Sequence, residues 1–192
     1  IWLDRIEDIL YFETDPNLDQ DQVLSFGRQL RRVFYESLPE AASSLELEDR
    51  QDLYPLHADF FSRLAMTFDY GDYADREAIP GRKATAENLY RRALGYHPDR
   101  RAYLGLGIIL QKEGRFDESR DVLEGGVRYF PHDEHLNNCL GLSLMNLGRF
   151  QDALARMLPF DHSQQAIKYI AECYQALNDH EKAAAFRAKI NP

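Results

Sequence analysis

His132 and His135 bracket Asp133 and Glu134, four side chains of the kinds that ligate divalent metals. Structural and catalytic zinc sites need three or four such groups at recurring spacings. No third or fourth ligand stands at one of those spacings, so no metal site is expected. Cys139 and Cys173 are too few for a disulfide scaffold or a four-thiolate centre. Each falls among apolar neighbours and reads as a buried, reduced thiol. Serine, histidine and aspartate all occur, but no serine lies in the strand–turn–helix setting of a nucleophile elbow. Gly105–Gly107 is not followed by the spacing of a phosphate loop or dinucleotide fingerprint. Asp4 with Asp8, and Glu46 with Glu48 and Asp49, read as solvated acidic faces. The sequence therefore offers no catalytic set and no cofactor site, and the chain is read as a non-enzyme.

The chain has 192 residues, 44% of them hydrophobic and 12% aromatic, enough for a real core. No apolar run approaches the ~18 residues of a membrane span. Charge is uneven: residues 1–79 carry a net −11 of the total −9, which leaves +2 for the rest. An acidic first half makes nucleic acid and anionic membrane poor partners. The chain opens on Ile1, with Asp4, Arg5, Glu7 and Asp8 where a secretory signal would be apolar. It is expected to be an excised part of a longer protein. Its cysteine usage favours a reducing, cytoplasmic setting.

Self-similarity organises the second half. Gly-Arg-Phe at 114–116 returns at 148–150, a shift of 34 residues. The same shift carries Leu106 to Leu140, Gly107 to Gly141, Leu110 to Leu144, Ser119 to Ala153 and Leu123 to Met157. Tyr103, Leu106, Gly107 and Leu110 share one helical face. Gly114 supplies a turn, and Phe116, Ser119, Leu123 and Gly126 face back from a second helix. Pro131 ends that helix, and Asp133 is placed to cap the next.

These residues resemble tetratricopeptide repeats (TPRs). Tyr103, Leu106-Gly107, Leu110, Ser119, Leu123, Gly126 and Pro131 stand at the family's positions. The next unit supplies Asn137, Leu140-Gly141, Leu144, Ala153, Met157 and Phe160. A last unit, offset by 30, supplies Ile167, Ile170-Ala171, Tyr174, Ala183 and Ile190. An earlier degenerate unit has Phe61, Leu64-Ala65 and Phe68, then Ala86, Tyr90, Ala93 and Pro98. The resemblance implies an all-α, right-handed superhelical solenoid of antiparallel helix pairs, with extra N-terminal helices. The expected boundaries are a helical lead-in or worn repeats at 1–52 and a degenerate unit at 53–98 with a long loop at 69–82. Repeats follow at 100–133, 134–163 (shortened at Pro159) and 164–192.

In this family first helices line a concave groove that binds other proteins. The resemblance puts Arg101, Leu104, Ile108, Gln111 and Lys112 on that wall. The next units add His135, Asn138, Leu142, Met145 and Asn146, then Gln165, Lys168, Glu172 and Gln175. Apolar walls with amides and cations suit a peptide or helix of a partner. Residues that grip a carboxy-terminal carboxylate in some members are represented here only by Asn138 and Lys168. A second reading is an accessory, substrate-positioning or oligomerisation domain of a larger and possibly enzymatic protein. The last unit lacks a polar capping helix, so self-association or contact with a neighbouring domain there is also expected.

Overall fold

The computed structural model describes residues 49–70 and 81–190. Two compact units divide the chain, 1–47 with 72–82 and 48–71 with 83–192. Of the expected lead-in at 1–52, residues 1–48 lie outside the described residues, as do residues 71–80 of the expected loop. Among the described residues there are eight α-helices and no strands. They are α1 (Tyr54–Tyr70), α2 (Arg82–Tyr96), α3 (Arg100–Lys112), α4 (Phe116–Tyr129), α5 (Glu134–Asn146), α6 (Phe150–Met157), α7 (Gln164–Ala176) and α8 (His180–Ala188). The helix α1 runs through Asp69 and Tyr70, and α2 starts at Arg82, so the ends of the expected loop are helical.

Capping and turn residues set the helix ends. Asp99 accepts a 2.9 Å bond from the Ala102 amide, and Asp133 does the same for Leu136. Asp179 caps α8 through the Lys182 amide. These carboxylates satisfy first-turn donors that a helix cannot pair internally. Three turns repeat one closing geometry. Gly114 and Gly148 sit at φ 74° and 73°, and Asn178 holds the matching place at φ 61°. Behind each, an amide reaches back five residues: Arg115 to Leu110, Arg149 to Leu144, Asp179 to Tyr174. That bond satisfies a carbonyl in the last turn of the preceding helix.

Pairing buries the apolar stripes. Leu123, Leu136, Leu140, Leu144, Met157, Ile170 and Cys173 join one core that runs through three successive pairs. Each buried leucine contributes about 1.5–3 kcal/mol over exposure. A β-carbon on Gly107 would fall 2.6 Å from Leu123, and one on Gly141 would fall 2.7 Å from Met157. The Leu-Gly pair of each central repeat therefore marks a close approach of its two antiparallel helices. At the front end Tyr96 stacks on Phe61 at 5.7 Å, and the Arg92 guanidinium lies 4.3 Å above the Phe61 ring. The helix α6 has eight residues and passes at Pro159 into a 3-10 turn, Leu158–Phe160.

Candidate partner-binding surface

The first helices α1, α3, α5 and α7 each touch the next, so they form one continuous layer. Shifts of 34 and 30 residues sort its outward positions into rows. Arg101, His135 and Gln165 make one row; Leu104, Asn138 and Lys168 make the next. Ile108, Leu142 and Glu172 make a third, and Gln111, Met145 and Gln175 a fourth. The shift of 42 that aligns Phe61 with Tyr103 extends three rows to Asp59, Ser62 and Met66 on α1. Direct contact bears out this register: Asp59 pairs with Arg101, its own counterpart one helix on.

Met66 is 37% exposed and stands in line with Ile108 and Leu142, which are half-buried. It was missed in the sequence, although the alignment of Phe61, Leu64-Ala65 and Phe68 with the later repeats leads to it. Leu104 and Met145 are also half-buried and rest on the core. Lys112, His135, Asn146, Lys168 and Glu172 are exposed. Of these, Asn146 is turned back onto its own helix, donating to the Leu142 carbonyl at 2.9 Å.

Three of the polar positions are engaged inside the layer or sunk into it. Arg101 is held by Asp59, whose carboxyl the Arg101 hydrogen bond keeps below the usual carboxylate range. The Gln111 amide donates 2.7 Å bonds to both the Cys139 carbonyl and Ser143 Oγ. Asn138 is only 7% exposed, and its buried Oδ1 has no hydrogen-bond partner.

Gln111 opens a buried polar seam between the two central repeats. Ser119 Oγ donates to the Gly107 carbonyl at 2.9 Å and lies 2.9 Å from Ser143 Oγ. Ser143 Oγ also lies 3.3 Å from the Cys139 carbonyl, so its single proton is shared between that carbonyl and Ser119. The seam thus joins the Gln111 amide, Ser143, Ser119 and the Gly107 carbonyl. Such chains strengthen each member by polarisation. Ser119 reads in the sequence as a small residue for close packing; its hydroxyl also ties α4 to α3 and α5.

Ion pairs add further ties between repeats. Arg100 binds Asp133. Burial opposes ionisation of Asp133, but the Arg100 hydrogen bond and the Leu136 amide outweigh it and hold the carboxyl low. Glu87 is also depressed: burial raises it, while Arg115 and Arg91 pull it further down. Burial pushes the Cys139 thiol up to about 11 and the Cys173 thiol up to about 12. Neither is a nucleophile at neutral pH.

His132 and His135 are both exposed. Among the described residues no three His, Cys, Asp or Glu side chains are grouped to hold a metal ion. No helix among them is long and apolar enough to cross a membrane. On the second-helix side, Glu124, Val127, Arg128, Pro131 and Arg156 line a cleft of about 360 Å³. Its two arginines sit in the last turns of α4 and α6, where they offset the negative helix ends. In the last pair Tyr174 and Phe186 stack at 5.7 Å. Lys182 lies 5.3 Å over Tyr174, and Lys189 lies 4.4 Å over Phe186. A partner docking on these rings would have to displace both ammonium groups.

Helix pairs in tandem, sharing one core and one first-helix layer, define a repeat scaffold. Residues 81–134 and 104–158 match the family described as Tetratricopeptide repeat, so the stretch from 81 to 158 carries tetratricopeptide repeats. No curated protein matches the chain by sequence. Among solved structures it is similar to MamA AMB-1, at 21% identity and a TM-score of 0.52, covering 73% of this chain and 95% of that one. It is also similar to MamA MSR-1, at 19% identity and a TM-score of 0.52, covering 84% and 95%. At these identities the likeness is one of fold. Repeats of this kind make the chain a scaffold for protein–protein interaction.

Proposed function

We propose that the chain binds a segment of another protein along its first-helix layer. The observation that carries this reading is the apolar line Met66, Ile108 and Leu142, flanked by Leu104 and Met145. None of these side chains is fully buried, and they recur at matching places on successive helices. Burying such a strip under a partner is favourable by about 25 cal/mol for each Å² of apolar surface removed from water, before the costs of association. Arg101 and Gln111 support the site from within, because their bonds to Asp59, Cys139 and Ser143 fix the helices that present the strip. Leu104→Asp with Leu142→Asp tests the reading. The double variant should keep the far-ultraviolet circular dichroism of the parent and lose partners captured by the parent from cell extract. Unchanged capture by the folded variant would reject it.

A further inference from the structure

The cleft on the second-helix side lies away from the first-helix layer and holds three charged groups. Glu124, Val127, Arg128 and Pro131 stand at i, i+3, i+4 and i+7, one face of α4 carried into the turn behind it, and Arg156 comes from α6. Both arginines are exposed, Glu124 is half-buried and Val127 is buried. Elsewhere the chain pairs its arginines readily: Arg91, Arg100, Arg101, Arg115, Arg120 and Arg149 each bind a carboxylate. Glu124, Arg128 and Arg156 have no ion-pair or hydrogen-bond partner among the described residues, although Glu124 and Arg128 are one helical turn apart. Offsetting a helix end asks only for a nearby cation, so that role leaves the guanidinium donors of both arginines free.

We infer that this cleft binds a free α-amino dicarboxylic acid of the size of aspartate or glutamate. The lining carries two positive groups and one negative, and such a molecule carries the mirror set, two carboxylates and one ammonium. Each guanidinium presents a planar fork of donors that matches a carboxylate edge, while the Glu124 carboxylate accepts from the ammonium. Val127 and Pro131 offer apolar contact to the methylene groups between the charges. A volume of about 360 Å³ stands at the small end of ligand sites, which run from about 300 to 1,000 Å³. Other anions leave part of the lining unmatched. A phosphate would satisfy both arginines but press against Glu124, a like-charge contact. A single carboxylate would leave one guanidinium and Glu124 open. The terminal residue of a longer peptide has at most two of the three groups free, because its peptide bond consumes the other. Bound in this way, the ligand ties the end of α4 to the end of α6, second helices of neighbouring repeats.

Calorimetric titration of the whole chain with L-glutamate, L-aspartate, glutarate and inorganic phosphate tests this. One of the two amino acids should give a saturable heat and raise the melting temperature, as a ligand of the folded state does. Glutarate, which lacks the ammonium group, should bind about ten-fold more weakly, the loss of one charge-assisted contact. This comparison uses the parent protein alone and does not depend on the folding of any variant. Arg128→Gln and Arg156→Gln should each weaken the amino acid about ten-fold with circular dichroism unchanged. Glu124→Gln should give a crossed result, weaker binding of the amino acid and tighter binding of glutarate, since its carboxylate holds the ammonium and repels the diacid. No saturable heat from either amino acid would overturn the inference. So would glutarate or phosphate binding more tightly than both, or binding unaltered in Arg128→Gln and Arg156→Gln. A Glu124→Gln variant that treats the amino acid and glutarate as the parent does would rule out a ligand with an ammonium group.

Discussion

Single side chains decide how rigid the central seam is. Ser143 accepts from Gln111 and is hydrogen-bonded to Ser119, so removing its hydroxyl cuts the chain at the middle. Ser143→Ala should cost about 1–3 kcal/mol, the range for leaving a buried polar group short of a partner. Urea unfolding measures it, with a lower midpoint and an unchanged slope expected. Gln111 and Asn138 show what the sequence could and could not reveal. The family resemblance puts both on the groove wall, where Asn138 is buried and Gln111 half-buried. It could not show that Gln111 folds back onto the Cys139 carbonyl, because rotamer choice depends on what the neighbouring helix presents. Cys173 is buried as its apolar surroundings suggest, whereas Cys139 is half-buried. With Cys139 at about 11 and Cys173 at about 12, neither should react with iodoacetamide at pH 8 until the protein is unfolded. Intact-mass spectrometry of native and urea-treated samples checks this; rapid native alkylation would contradict it.

Elements are governed by their ends and their crossing points. The Leu-Gly pairs and the turn glycines were legible because glycine has few other reasons to stand there. Asn178 was not legible as a turn residue, since asparagine also serves in caps and on surfaces. Only its φ of 61° reveals the third copy of the same turn. Replacing Asn178 with glycine should leave stability unchanged or raise it slightly. Alanine there should cost about 1 kcal/mol through its disfavoured left-handed backbone. Gly141→Leu should cost more, about 1–3 kcal/mol or above, because Met157 already lies within van der Waals range of the first added carbon. Thermal melts of the three variants order them, and an equal effect from all three would refute the distinction. The degenerate first pair was readable from Phe61, Leu64-Ala65 and Phe68, followed by Ala86, Tyr90, Ala93 and Pro98. Its inner contacts, Asp59 to Arg101 and Ser62 to Asp99, depend on register between helices and had no local signal.

Across the whole molecule, the depressed carboxyls tie stability to pH. Asp133 and Glu87 ionise more readily folded than unfolded. Their contribution is therefore present above the unfolded carboxylate range near pH 4 and is lost as pH falls through their lower folded values. Urea midpoints should be flat from pH 7 to about pH 5 and then fall. In Asp133→Asn the midpoint should be lower at neutral pH, and its decline in acid shallower. An equally steep acid decline in the variant would show that Asp133 carries none of it.

The buried seam has a mechanical consequence as well. The central repeats are locked by Gln111, half-buried, and by the buried Ser119 and Ser143. The ties nearer the ends, Arg101 with Asp59 and Lys189 with Asp161, are ion pairs open to water. Among the described residues, a pull on α1 and α8 would open those exposed ties first and surrender the segment from α3 to α5 last. A load carried across this scaffold is thus borne by its middle, while its extremities act as the give in the line.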